Sequence, residues 1–214
     1  MTRGLRRPGD RVLLAIDTAI GTTVALAAGG RVHLAASDDP RGHAEAIGEL
    51  LAEVFRASGA AAGDVEGVVV GVGPGPFTGL RVGIAAAHAF AAGRGVPLLP
   101  VQGHDAVALQ DLDRGATASV RVVQDARRRE LFVTDYAGLD WAGIPQRVAG
   151  PRLVARDAHV AQPGERWPER IPGDGLLALA ARKLAAGGPF EADRAVYLRA
   201  PDVAAPSAPK RVST

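Results

Sequence analysis

The stretch from Gly73 to Gly93 restricts this chain more than any other part of it. It opens Gly73-Pro74-Gly75-Pro76-Phe77-Thr78-Gly79-Leu80-Arg81. Each proline restricts the residue before it, so the first half is barred from helix. From Val82 to Gly93 no side chain carries a formal charge, and His88 is the one polar residue. Thr78 is a suitable N-cap for a helix from Gly79 to Ala92. A helix that is apolar all round has to be covered on every side, and this one is too short to cross a membrane. Gly83, Ala85, Ala86, Ala87, Ala89, Ala91 and Ala92 keep it slim enough for close packing. One face fits a sheet. The other is expected to pair with a neighbouring helix, and the two together to offer an apolar surface of the kind that marks an interface.

The surrounding pattern is α/β. Val12 to Ile16, Thr22 to Ala28 and Arg31 to Ala36 read as an antiparallel three-strand meander, turned at Gly29-Gly30. His43 to Ser58 places Ile47, Leu50, Leu51, Val54 and Phe55 on one helical face, and Gly59 stops the helix. Val65 to Val72 and Pro97 to Val101 read as buried strands. The plan then repeats loosely: a short helix from His104 to Asp111, a strand from Ser119 to Gln124, a turn at Asp125 to Arg129, and a returning strand from Glu130 to Tyr136. Leu139 to Arg166 is rich in Gly, Pro and Arg, with a strand near Arg152 to Ala155. Ile171 to Gly175 reads as a loop and Leu176 to Ala186 as a helix. Each half opens on a strand closed by an aspartate, Asp17 or Asp125, which suggests two equivalent lobes. The expected division is a basic leader over 1–10, a first lobe over 11–102, a second over 103–200 and a mobile tail over 201–214.

Composition removes several chemistries. The chain of 214 residues has no Cys, so disulfide frameworks, zinc–thiolate sites and a cysteine nucleophile are excluded. The five histidines, His33, His43, His88, His104 and His159, form no metal-binding pair at helical spacing. No Gly-x-Ser-x-Gly elbow is present. The isoelectric point of 9.5 comes with a net charge of only +2. Of 25 basic residues 23 are Arg, whose titration lies far above neutrality, so a surplus of two bases holds the isoelectric point high. Asp17 interrupts the apolar run after the basic start, which argues for a first strand rather than a signal peptide. A cytoplasmic protein is expected.

Four features invite a ligand, the first three with a plainer alternative. The loop containing Gly73, Gly75 and Thr78 can turn amides toward an anion before a helix N-terminus, yet it lacks the Lys and Ser/Thr of a P-loop; a rigid strand-to-helix turn is the plainer reading. Asp17 and Thr18, with Asp125 across a cleft, could flank a nucleotide, while aspartates at strand ends commonly cap turns. The arginines of Asp125 to Glu130 could touch phosphate, or form a solvated turn. The loop Gly173-Asp174-Gly175 completes the set that a free-standing ATPase or kinase would need.

Taken together, the segments Leu13 to Ala19 (LLAIDTA), Val72 to Gly83 (VGPGPFTGLRVG), Gln124 to Phe132 (QDARRRELF), Gly173 to Gly175 (GDG) and Tyr197 to Asp202 (YLRAPD) resemble the bacterial tRNA threonylcarbamoyladenosine biosynthesis TsaB (YeaZ) family. Pro76 departs from the family, which often has Ser there, and removes an amide and a hydroxyl. The resemblance implies a two-lobed actin-like (ASKHA, ribonuclease-H-like) α/β fold, each lobe a mixed sheet with flanking helices. It implies a non-catalytic protein with a degenerate site and no cofactor of its own. That protein would bind and activate the catalytic paralogue TsaD, which transfers threonylcarbamoyl to an adenosine beside the tRNA anticodon. An ATPase, TsaE, completes the assembly; ATP or ADP would sit at the complex, tRNA would be met indirectly, and a homodimer in isolation stays open. Docking through the first-lobe helices maps here to His43, Ile47, Leu50, Leu51, Val54, Gly79, Leu80, Arg81, Gly83, Ala86, Ala87 and Phe90. The alternatives are the free-standing ATPase or kinase and, more weakly, a glycoprotease-like metallopeptidase.

Overall fold

The computed structural model describes residues 11–39, 42–115 and 118–199. The expected leader and tail lie outside them. The chain begins with β1 (Leu13–Asp17), β2 (Thr22–Ala28) and β3 (Arg31–Ser37), then α1 (His43–Ser58), β4 (Gly67–Gly71), α2 (Phe77–Arg94) and β5 (Leu98–Val101). These strands form one sheet in the order β3-β2-β1-β4-β5. The meander β1–β3 is antiparallel, and β1, β4 and β5 run parallel. The β2–β3 turn holds Gly29 and Gly30 at φ 58° and 73°, a left-handed pair that glycine adopts without steric cost.

Both faces of this sheet are covered, so its central strands are apolar without alternation. Successive residues nevertheless point to opposite sides. Leu14, Ile16, Val24, Leu26, Val68 and Val70 pack with Ile47, Leu50 and Val54 of α1 and Ala87 and Ala91 of α2. Leu13, Ala15, Ala25, Val69 and Leu99 face the other way, into a second core. Burying each such Leu or Val contributes about 1.5–3 kcal/mol.

The second half supplies α3 (Gly103–Asp113), β6 (Val120–Asp125), β7 (Glu130–Leu139), β8 (Pro145–Ala155), β9 (Glu165–Arg166) and α4 (Gly173–Ala186). Its sheet runs β8-β7-β6-β9. The cores are not divided as cleanly as the chain. Leu176, Leu177 and Leu179 of α4 and Ala106 to Leu109 of α3 join Leu13, Ala15 and Val69 of the first sheet and Val120, Val122 and Tyr136 of the second in one cluster. Helix α4 of the second half therefore covers the free face of the first sheet, and α3 packs between α4 and the second sheet.

Four expectations change. Helix α2 starts at Phe77, with Pro76 as its N-cap at φ −61° and ψ 138°, so Thr78 lies inside the first turn and caps nothing. Its outer side is not covered: Arg81, Ala85, His88, Ala89 and Ala92 are exposed. Alanine presents so little apolar area that a charge-free helix can leave a face in water. The strand near Arg152 is the end of an 11-residue strand, β8, that passes through Gly150 and Pro151. It lies at the sheet edge, where such residues are tolerated, and its pairing with β7 is irregular. Finally, Gly173 to Gly175 is the first turn of α4, not a loop.

Candidate functional site

Thr18 follows β1 directly and ties the sheet to α2. Its hydroxyl donates to the Gly79 carbonyl (2.7 Å) and accepts from the Gly83 N–H (3.1 Å). Those two backbone groups belong to successive turns of α2, so the hydroxyl sits against the helix ladder itself. The approach requires glycine at both positions. A β-carbon on Gly83 would lie 2.2 Å from Thr18 Oγ1, and one on Gly79 would lie 2.7 Å from the Thr18 carbonyl oxygen. The Gly-x-x-x-Gly spacing of the motif is thus a seat for the β1–β2 turn.

Asp17 is 1% exposed. Its Oδ1 accepts from the Ala19 N–H (2.8 Å), and its Oδ2 is buried without a partner. Burial pushes its pKa up to about 6, against the pull of the Ala19 amide. The carboxylate lies against β4, where a β-carbon on Gly71 would fall 1.7 Å from Oδ2.

An open cleft of about 1150 Å³ lies beside this turn. Thr18, Gly21, His43, Thr78, Gly79, Val82, Gln124 and Asp125 are among its walls. Its charged lining is mixed: Asp38, Glu45, Asp125 and Glu169 against Arg127 and Arg170. Arg170 pairs with Asp38 at 3.1 Å across the two halves of the chain. Four carboxylates against two guanidinium groups form a poor field for a polyphosphate. His43 Nδ1 lies 2.8 Å from the Thr22 hydroxyl, and desolvation lowers its pKa despite the opposing pull of Asp39. Deeper, His104 is fully buried between the Thr134 hydroxyl (2.8 Å at Nδ1) and Gln124 Oε1 (3.0 Å at Nε2). The Gln124 amide donates to the Ala19 carbonyl at 3.2 Å. With the Gln124 oxygen as acceptor, Nε2 carries the imidazole proton and Nδ1 accepts from Thr134. Burial lowers the His104 pKa to about 4, so the ring is neutral. This chain joins the second sheet to the β1–β2 turn.

The structure brings together some of the residues singled out in the sequence and separates others. Thr18, Thr78 and Asp125 line the cleft, whereas Asp17 does not, and Gly73 and Gly75 are buried. Gly75 is closed in by Ala19, whose β-carbon would lie 2.9 Å from an added one. Asp125 holds the Arg127 amide (2.9 Å) and pairs with Arg156 (3.0 Å). The Gly173-Asp174-Gly175 turn faces Ala25 rather than the cleft, since a β-carbon on Gly173 would lie 2.6 Å from the Ala25 side chain. Among the described residues, no group of three or more His, Asp or Glu is placed to hold a metal.

The expected docking residues divide in the same way. His43, Ile47, Leu50, Val54, Gly79, Leu80, Gly83 and Ala87 are buried within the chain, because the helical faces they define are turned to the sheet. Leu51, Ala86 and Phe90 are half-buried and Arg81 is exposed. Phe55 stacks on Phe90 with centroids 6.0 Å apart, joining α1 to α2. The surface the helix pair offers is therefore built of Leu51, Phe55, Val82, Ala86 and Phe90. Arg81 lies over Phe77 (4.0 Å), which in turn packs on Tyr197 (4.8 Å). The His43–Thr22 and His104–Gln124 pairs had no signal in the sequence, because their members lie 21 and 20 residues apart on different elements.

Comparison with known proteins places this architecture. Residues 24–152 match the model of the TsaD family, tRNA N6-adenosine threonylcarbamoyltransferase. The chain belongs to this family, as a TsaB/YeaZ-type member. An uncharacterized protein of Mycobacterium tuberculosis is 36% identical over 151 residues, covering 67% of this chain and 64% of the relative. The Escherichia coli protein named tRNA threonylcarbamoyladenosine biosynthesis protein TsaB is 32% identical over 125 residues, covering 58% of this chain and 54% of the relative. The chain thus spans less than two thirds of the length of these relatives. The solved structure of YeaZ from Pseudomonas aeruginosa superimposes with a TM-score of 0.76 at 24% identity, covering 88% of this chain and all of that one. The fold is the actin-like one that the sequence resemblance implies, two mixed sheets with flanking helices.

Proposed function

We propose that the chain acts in threonylcarbamoyladenosine formation on tRNA as a non-catalytic subunit, binding and activating a TsaD-type transferase through the outer face of α1 and α2. The observation that carries this reading is the pairing of that face with a disarmed cleft. Leu51, Phe55, Val82, Ala86 and Phe90 leave apolar area at the surface with no charged side chain between Val82 and Gly93. In the cleft, the strand-end aspartate that an actin-like ATPase would turn to a nucleotide is sealed against Gly71. The Thr18 hydroxyl is consumed by α2. These arrangements weigh against free-standing ATP turnover. A TsaE-type ATPase belongs to the same assembly, any ATP or ADP is held with the partners, and tRNA is held mainly by the transferase. No helix among the described residues is long and apolar enough to cross a membrane, which fits the cytoplasmic setting proposed.

The test is co-elution with a TsaD-type partner on size exclusion. The unaltered chain is expected to form a stable complex, and Ala86→Arg or Ala89→Glu to abolish it with the fold intact. A complex that survives both changes would remove the docking face. Depletion in the source cell that leaves tRNA threonylcarbamoyladenosine unchanged would remove the biological role. ATP turnover by the chain alone, lost in Asp17→Asn, would instead favour the kinase alternative.

A further inference from the structure

The two sheets end on four edge strands, β3 and β5 in the first and β8 and β9 in the second. Three of these are guarded. β5 is four residues long and contains Pro100, whose carbonyl accepts from the Glu191 N–H (3.0 Å) of the returning chain. β8 passes through Gly150 and Pro151 with an irregular register, and β9 has only two residues. Such devices keep sheets from pairing edge to edge. β3 has none of them. It runs for seven residues without proline, in unbroken register with β2.

The register shows which of its backbone groups stay open. The two-residue turn Gly29-Gly30 closes on the Ala28–Arg31 pair, so Arg31, His33, Ala35 and Ser37 direct their N–H and C=O groups at β2. Those of Val32, Leu34 and Ala36 point outward, and no bond from them to another described residue occurs. The same residues carry their side chains on one face, where Val32 is 46% and Leu34 45% exposed. That face is the one α4 covers further in. α4 lies over β1 and β2 and reaches β3 where Leu34 meets Gly173. The apolar layer thus continues to the sheet edge, beside a row of open donors and acceptors.

We infer that β3 pairs antiparallel with β3 of a second copy of this chain, joining the two first sheets into one. Self-pairing centred on Leu34 sets Leu34 against Leu34, and Val32 against Ala36, of the other copy. Every outward N–H and C=O of these residues then has a partner, and both copies bury Val32 and Leu34 on the same side. Charge favours this arrangement. Arg31 is the strand's one formal charge and stands at its start, while the exposed Asp38 follows its end. Antiparallel pairing brings Arg31 of one copy near Asp38 of the other; parallel pairing aligns like charges. The contact is isologous, as a two-fold dimer requires. The pairing goes beyond the docking proposed above and does not depend on it. Leu51, Phe55 and Phe90 lie on the α2 side of α1, away from β3, because α2 packs over β1 and β4.

Sedimentation velocity of the full chain from about 1 to about 100 µM tests this, because pairing of copies depends on concentration. The mass is expected to rise from one copy to two. V32K/L34K sets ammonium groups directly opposite each other and should weaken the dimer at least about tenfold. Both positions are half exposed, so circular dichroism and the thermal midpoint should stay near those of the unaltered chain. Leu34→Cys gives this cysteine-free chain a single thiol at the two-fold axis. A short bismaleimide should link the copies there, and should not link them in Leu51→Cys. The thiol test does not depend on the double variant folding. A chain that stays monomeric over the whole range would overturn the inference. So would a dimer that V32K/L34K leaves intact, or one that crosslinks in Leu51→Cys. Assembly only with a TsaD-type partner, lost in V32K/L34K, would assign the edge to that partner and also overturn self-pairing.

Discussion

Replacing Asp17 with Asn should make stability depend on pH in a way the unaltered chain conceals. The folded state holds the Asp17 pKa at about 6, against an ordinary value of 3.8. Between those values the native state binds the extra proton, so this group's contribution to stability falls as pH rises. A displacement of that size is worth about 3 kcal/mol. His104 runs the other way. Its folded pKa of about 4 lies below the ordinary 6.5, so stability is lost as pH falls through that window, again by about 3 kcal/mol. In the unaltered chain the two slopes oppose each other between pH 4 and 6. In Asp17→Asn the amide oxygen can still accept from the Ala19 N–H, and the buried charge is gone. The gain in unfolding free energy over the unaltered chain should therefore be about 2–3 kcal/mol larger at pH 7 than at pH 4. Urea unfolding of both proteins across that range measures it. Every other titrating group cancels in the difference. A gain that is the same at both pH values would show that Asp17 is not a buried ionising carboxyl, and the argument from its unpartnered Oδ2 would fail.

Other substitutions test single contacts. Thr18→Val keeps the shape but removes both bonds to α2, and should cost about 1–3 kcal/mol in chemical denaturation. Arg147 pairs with Asp105 at 2.7 Å through two donors, and Tyr136 donates to the same carboxylate at 2.8 Å. Arg147→Ala leaves that buried carboxylate without its cation and should cost about 3–5 kcal/mol. Gly173→Val drives a side chain into Ala25 and Thr23 and should lower the thermal midpoint measurably. Gly48→Ala, by contrast, meets nothing within 4 Å inside α1; it should stabilise by about 0.5–1 kcal/mol and raise the midpoint by a few degrees.

What could be read without coordinates was whatever depends on local period and on residue type. The buried runs of β1 and β4, the limits of α1 and the hairpin at Gly29-Gly30 follow from side-chain alternation, a stop glycine and turn chemistry. They were legible to within a residue or two. The absence of cysteine ruled out disulfide frameworks and a cysteine nucleophile before any fold was known. The motif Val72 to Gly83 named the family but not the purpose of its glycines. Gly79 and Gly83 look like packing residues or anion-loop residues until Thr18, more than 60 positions away, is seen against them. The same holds for Asp17, which reads as a cleft aspartate in sequence and is sealed under β4 in space. The docking face shows the difference most plainly. Period alone put Ile47, Leu50, Leu51, Val54 and Phe55 on one side of α1, but it cannot say which of them meet the chain's own sheet and which a partner. The sheet claims Ile47, Leu50 and Val54, leaving Leu51 and Phe55, with Ala86 and Phe90 of α2, half-buried at the surface. Local sequence sets which residues share a face. Only the competition among all apolar faces for one core decides which of them stays in water.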